Sequence, residues 1–456
     1  MATVLIPILR RTAIGVSVLV LAGCANFSAD GGYGEVSRLT QERVGQPVVL
    51  AKTTADGDQR TSDEVRVLLA QPLTADAAVK IALMNNPALR TSLAELGVSE
   101  AQFVQAGRMR NPGFSFGKMR GGDEVEIERS VSFDVIGLLT LPTRSGIEKR
   151  RFEQAKLMAA GQAVQLANAT RKAYFTAVAA AQSAAFAEQV RGAAEASVEL
   201  ADRMTKVGNW SKLDQARERA FYQDTQTQLA RARHEATATR EQLVRLLGLW
   251  DAQQSLQLPD RLPDLPTDLR DGRDAEAQAM AQRLDVLIAR RDVEATASAL
   301  GLTRATRFIN VLDAGYANKS TNGAPRENGY EISLELPIFD WGGARVAEAQ
   351  GLYMQAVHRT ADKAVRARSE VREAYSAYRT TYDIARHYRD DVVPLRKKIS
   401  DEVLLRYNGM LASVFELLAD AREQLSSVNT AIETQRDFWI ADTALQAAIN
   451  GAGANE

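Results

Sequence analysis

Between Ile147 and Val207, apolar and small side chains recur in alternating steps of three and four with no proline among them. Phe152, Ala155, Ala159, Leu166, Ala169 and Ala173 make one seam; Leu157, Ala160, Val164, Ala167, Tyr174 and Val178 interleave as a second. One seam serves a single neighbour, so two predict a long helix packed on both sides. Gly208 and Asn209 break the pattern, and Lys212 to Leu247 resumes it through Leu229, Ala232, Ala236, Thr239, Leu243 and Leu246. The plan recurs later in the chain. Val346 to Arg406 reads as helix, weakly interrupted at Gly351 and Pro394. Met410 to Asn450 follows, with Val414, Leu418, Ala421, Leu425, Val428 and Ile432 in a four-three seam. Helices of this size run roughly 60–90 Å at the ordinary rise per residue. Such lengths predict a mainly α, coiled-coil or tubular body of antiparallel helical hairpins.

A different period precedes each helical pair. Val125, Ile127, Val131, Phe133 and Val135 alternate with Glu124, Glu126, Glu128, Ser130, Ser132 and Asp134, with Arg129 the one charge on the apolar side. This two-residue period predicts a strand. Phe114 and Phe116 begin its partner, and Gly121-Gly122-Asp123 is a hairpin turn. In the second half Tyr330, Ile332, Leu334, Leu336 and Ile338 alternate with Glu331, Ser333 and Glu335. Their partner holds Leu312, Ala314 and Tyr316, across a polar loop from Asn318 to Asn328. A strand of about ten residues, apolar on one face and acidic on the other, matches an outer-membrane barrel strand. Four strands cannot close a barrel, and open edges do not persist in hydrocarbon. Either several copies share one barrel, or the strands form a soluble sheet packed on the helices.

The halves correspond at an offset near two hundred residues. Asn86-Pro87-Ala88-Leu89 opens a short helix in the first, and Arg283-Leu284-Asp285-Val286-Leu287 holds the matching place in the second. The first repeat spans 72–250, with its hairpin at about 112–136, and the second spans 281–450, with its hairpin at about 308–339. A linker covers 251–280, and 451–456 is a tail.

Ahead of the repeats, Arg10 and Arg11 precede an apolar run that ends in Leu21-Ala22-Gly23-Cys24. That is the layout of a secretory signal, 1–23, and is too short for a membrane helix. The last four residues resemble the bacterial lipobox, whose cysteine is acylated and becomes the new N-terminus; the alternative is a free thiol. Ala25, in place of aspartate, favours the outer over the inner membrane by the same resemblance. Residues 24–71, polar and without clear period, read as an extended lipidated tether.

Composition removes other classes. With 56 Lys+Arg against 57 Asp+Glu the net charge is -1, giving no pull toward nucleic acid. One cysteine leaves no intrachain disulfide or multi-cysteine metal site. His234 lies on one predicted helix and His358 and His387 lie far apart on another, without an acid cluster at ligand spacing, so no metal and no cofactor beyond the lipid on Cys24 is expected. No nucleophile–base set or phosphate loop is visible, which argues against an enzyme.

Over nearly the whole mature chain the sequence resembles the TolC family of outer membrane factors. The resemblance rests on Leu73-Thr74-Ala75-Asp76-Ala77 through Asn86-Pro87-Ala88-Leu89, and on Leu336-Pro337-Ile338-Phe339-Asp340-Trp341-Gly342-Gly343. Arg406-Tyr407-Asn408-Gly409 running into Phe415-Glu416-Leu417-Leu418 adds to it. It implies a homotrimer in which each subunit gives four strands to a shared twelve-stranded β-barrel and four long helices to a periplasmic α-barrel tunnel. It also implies a passive exit duct working with a periplasmic adaptor and an inner-membrane pump of the resistance-nodulation-division type. The usual Gly-rich strand-to-helix corner is replaced in the first half by Asp134 to Pro142, where a bulge or shifted register is expected.

The same resemblance assigns candidate sites. Tyr407 falls on the family's gate tyrosine and Glu416 on an aspartate of its acidic constriction. Asp214 is the equivalent in the first repeat, and Asp420 lies one turn past Glu416. Ala412 stands where the family has a gate arginine. Glu124, Glu126, Glu128, Glu331 and Glu335 would line the lumen and bias it toward cations; plain solvated faces are the alternative. The competing reading of the whole chain is a lipid-anchored periplasmic coiled coil with a structural or adhesive role, which leaves the two amphipathic hairpins unexplained.

Overall fold

The computed structural model of the chain describes residues 26–49, 55–250, 256–272, 274–309 and 311–451. Cys24, the signal segment and residues 452–456 lie outside them.

Helices α1 (Tyr33–Val44) and α2 (Ala55–Leu69) occupy the stretch expected to be an extended tether. The short α1 forms because Val36, Leu39, Thr40 and Val44 share one stripe and are all buried. Next come α3 (Ala75–Asn85) and α4 (Pro87–Ala106). Thr74 caps α3 by accepting the Ala77 N–H at 3.2 Å. The Asn86 side-chain oxygen accepts from Ala88 at 2.9 Å and Leu89 at 3.2 Å. Pro87 then sits at the first helical position, where no N–H is missed.

Strands β1 (Gly113–Gly121) and β2 (Glu124–Asp134) lead into α5 (Val135–Lys206) and α6 (Lys212–Leu247). The expected bulge at Asp134–Pro142 is not there. Pairing of β2 runs in unbroken register to Asp134, and α5 begins at the next residue instead of at Ile147. Asp134 makes this possible: its Oδ1 accepts the Gly137 N–H at 2.6 Å, as an N-cap does. Pro142 is carried inside the helix.

The second half has α7 (Ala275–Gln282), α8 (Leu284–Ala305), β3 (Leu312–Thr321), β4 (Glu327–Leu334) and α9 (Gly343–His387). Helix α7 lies across the end of the segment assigned as linker. The loop expected from Asn318 to Asn328 is mostly strand, leaving a turn at 322–326. Its polar residues pair with one another: the Asn318 amide donates to Asn328 Oδ1 at 2.8 Å. Leu336 and Ile338 fall beyond the end of β4. After α9 a π-turn, Tyr388–Val392, precedes α10 (Val393–Asn408) and α11 (Val414–Asn450). Pro394 cannot donate to the carbonyl four residues back, and the widened turn just before it relieves the clash.

The described chain divides into two compact units that do not coincide with the two repeats. One takes residues up to Glu35, Ser92–Ala159 and Val286–Ala364; the other takes Val36–Thr91, Ala160–Asp285 and Val365 onward. The first holds one antiparallel sheet in the order β1-β2-β3-β4, so the two predicted hairpins join through β2 and β3. The second has a core in which Ala173, Phe175, Ala177 and Val178 of α5 meet Ile81 and Ala82 of α3 and Leu243 and Leu247 of α6. Tyr174 is buried there, and its hydroxyl donates to the Leu73 carbonyl at 2.9 Å. The repeat shows in the helix ends. Gly248, at φ +68°, closes α6 against Asn85 and Asn86, and Gly451, at φ +80°, closes α11 against Arg283 and Leu284. A side chain at either would collide with that backbone.

Candidate functional site

The register sorts the sheet into two faces. Glu124, Glu126, Glu128 and Asp134 of β2 lie on the same face as Asp313 and Lys319 of β3 and Glu327 and Glu331 of β4. Seven carboxylates thus share one face with a single lysine. Lys319 Nζ pairs with Glu126 at 2.8 Å and sits directly opposite Glu128. Three of the acids face glycine across the strand pair: Glu124 opposite Gly121, Glu128 opposite Gly117, and Glu331 opposite Gly315. Small partners leave room above the backbone for an extended carboxylate. Glu335 lies just past the end of β4, its N–H directed to the Val311 carbonyl at 3.5 Å. The sequence pattern identified Glu124, Glu126, Glu128 and Glu331; it missed Lys319 and Glu327, which the loop reading hid.

The other face carries Phe114, Val131, Phe133, Ala314, Tyr316, Tyr330, Ile332 and Leu334. Many of these are open to solvent in the single chain, Tyr330 at 91% and Ile332 at 73%. Tyr316 and Tyr330 meet edge to face at 6.2 Å, and the Tyr316 hydroxyl donates to Asn328 Oδ1 at 2.8 Å. Further along the same connection, Leu336, Ile338, Phe339 and Trp341 are exposed, and Trp341 meets Phe308 edge to face at 6.4 Å. Toward the strand turns this face turns polar and basic, with Lys118, Arg120 and Arg129 and no carboxylate.

The remaining candidates cluster at the turns of the helical hairpins. After α5, Asn209 N–H reaches the Met204 carbonyl at 2.9 Å and Gly208 N–H reaches Thr205 at 3.1 Å. After α10, Leu411 N–H reaches Arg406 at 2.7 Å and Met410 N–H reaches Tyr407 at 3.0 Å. These are equivalent Schellman closures, one with Gly208 and the other with Met410 in the left-handed conformation. Each turn then restarts with a serine cap. Ser211 Oγ accepts the Asp214 N–H at 3.1 Å, and Ser413 Oγ accepts the Glu416 N–H at 3.2 Å. Asp214 and Glu416 are therefore third residues of matching capping turns, where a negative charge complements the helix dipole. Trp210 of one turn stacks on Phe415 of the other at 4.8 Å.

Asp420 is partly buried, with Oδ2 enclosed and no hydrogen-bond partner among the described residues. The Tyr407 side chain makes no hydrogen bond to these acids. A pair that the sequence did not suggest lies close by. Glu218, 4% exposed, accepts from Arg422 Nη2 at 2.7 Å and from Ser197 Oγ at 2.8 Å. The Arg422 guanidinium also lies 4.1 Å from the centre of the Phe221 ring. On the first hairpin, side-chain hydrogen bonds from Gln215 and Arg219 hold the Asp202 carboxyl below its usual range. Among the described residues no cluster of His, Cys, Asp and Glu could hold a metal ion, and no helix is long and apolar enough to cross a membrane.

Solved structures share this architecture. A membrane protein from Pseudomonas aeruginosa is 20% identical, with a TM-score of 0.71 over 85% of this chain and 93% of its own. The outer membrane protein VceC of Vibrio cholerae is 16% identical, with a TM-score of 0.69 over 88% of this chain and 99% of its own. The CmeC outer membrane channel of Campylobacter jejuni is 16% identical, with a TM-score of 0.69 over 91% and 92%. No family model and no curated protein sequence matches the chain. At such identities the likeness establishes the fold, which is the one the sequence resemblance implied.

Proposed function

We propose that this chain is the outer-membrane exit duct of a tripartite efflux system, conducting small solutes passively to the exterior. The observation that carries the reading is the sheet: four strands with open edges at β1 and β4, one face acidic and the other an exposed apolar band. From Tyr330 to Ile338 an extended chain covers at most roughly 26 Å at the usual strand rise. Aromatic residues border both ends of that run, as in a barrel wall facing lipid. Hydrocarbon forbids the open edges, so three copies joining β1 to β4 would give twelve strands and remove them. The acidic face then lines water, which favours cations near the wall. No catalytic group is required.

The helical hairpins form the periplasmic tunnel, and acylated Cys24 anchors the mature N-terminus. Val207, Leu213, Met410 and Leu411 at the hairpin turns are 69%, 60%, 94% and 80% exposed. Apolar side chains so placed suit a periplasmic adaptor, with an inner-membrane pump supplying the energy. Asp214 and Glu416 already complement the dipoles of helices capped by Ser211 and Ser413, which leaves Asp420 as the gate candidate without such a role.

The test is assembly and conduction. The detergent-purified protein should be a trimer by native mass spectrometry and should open ion channels in planar bilayers. A water-soluble monomer after removal of Cys24, with no conductance, would replace the duct with the anchored coiled coil.

A further inference from the structure

We infer that the turn end of the apolar sheet face is a docking surface for the phosphorylated glycolipid of the outer leaflet, a phosphate-bearing glucosamine lipid. The inference rests on the outer-membrane reading above. Charge on the sheet is segregated by face: the strand carboxylates lie on the acidic side, and Lys118, Arg120 and Arg129 lie on the apolar side. The one cation on the acidic side, Lys319, is paired with Glu126. Lys118 and Arg120 are exposed and have no carboxylate partner among the described residues.

Their height on the strand matters as much as their sign. Arg129 stands opposite Phe116 and Lys118 opposite Ile127, so Lys118 and Arg129 are diagonal neighbours. That places them about 7–8 Å apart, a spacing that a single phosphate group can bridge with long side chains. Arg129 also lies 5.9 Å from the centre of the Phe116 ring. Just below, the Tyr316 hydroxyl points up to Asn328, marking where the face changes from apolar to polar. A tyrosine with its ring in the apolar band and its hydroxyl in the polar one sits at a membrane interface. The three cations stand on the headgroup side of that line, at the strand turns and away from the ends that join helices. In an outer membrane this is the outward leaflet, whose phosphates supply the complementary charge.

The experiment uses the full-length protein in phosphatidylcholine vesicles containing lipid A, phosphate-stripped lipid A, or phosphatidylglycerol. After detergent extraction, lipid retained by the trimer is counted by native mass spectrometry. Lipid A should be retained about tenfold or more over both comparison lipids. Lys118→Gln with Arg120→Gln and Arg129→Gln should lose that preference, and the charge-preserving K118R, R120K and R129K set should keep most of it. If the glutamine triple does not assemble, the single K118Q and R120Q variants carry the same comparison. Equal retention of stripped lipid A or of phosphatidylglycerol overturns the inference, as does undiminished retention by the glutamine variants. Wild-type conductance in pure phosphatidylcholine separates the two readings: channels without lipid A preference remove the docking surface alone, whereas absence of trimers and channels removes the duct as well.

Discussion

Met410 and Gly208 hold the same place in two equivalent turns, yet only one of them is built for it. Both lie in the left-handed region, at φ 58° and 79°, and a side chain there costs roughly 1–2 kcal/mol. Met410→Gly should therefore stabilise the second turn by about 1 kcal/mol, part of the gain being offset by the freer unfolded chain. Thermal unfolding of the detergent-solubilised protein checks this; an unchanged or lowered midpoint would mean that the Met410 side chain makes a compensating contact. At this scale the sequence is a fair guide to local chemistry. Ser211 with Asp214, and Ser413 with Glu416, are three residues apart, and that spacing alone defines a capping turn. What spacing cannot convey is whether such an acid caps a helix, lines a pore or does both.

Between elements the deciding contacts are long-range. Glu218 and Arg422 are 204 residues apart and meet because α6 and α11 pack together. No periodicity announces such a pair. Arg422→Ala would leave the Glu218 carboxylate buried and short of its main donor, with an expected loss of about 3 kcal/mol. Adding Glu218→Met should recover much of it, because the buried charge is then gone; a double-mutant cycle by chemical denaturation measures the coupling. Additive single effects would show that the pair does not tie the two helices. The strand-to-helix junction teaches the same lesson more locally. A proline and a missing glycine corner suggested a bulge at 134–142, whereas the Asp134 cap lets the strand pass directly into helix. Polar composition likewise suggested a loop at 318–328, because exposed strand ends and loops draw on the same residues.

At the scale of the molecule the two repeats follow one another in sequence, but the compact units draw on both. Pairing of β2 with β3 is the clearest case, since it joins the repeats into one sheet and puts all seven carboxylates on one face. In the proposed duct, neutralising Glu124, Glu126 and Glu128 together as glutamines should lower the cation-to-anion permeability ratio by roughly twofold or more, because the field of the wall falls with its charge. Reversal potentials in a potassium chloride gradient give the ratio directly. An unaltered ratio would place the selectivity elsewhere along the conduit.

By itself the amino-acid order determined the long helices, the amphipathic strands and the twofold plan, because each follows from spacing within a few residues of itself. It also determined the two hairpin breaks, near Gly208 and Met410, whereas Gly351, expected as a weak interruption, lies inside continuous α9 and Pro142 lies inside α5. Only the tertiary structure decided which strands pair, which acids share a face with Lys319, and that Glu218 meets Arg422. Those outcomes depend on contacts between segments up to 204 residues apart, whose free energy arises only when the packed elements exclude water together.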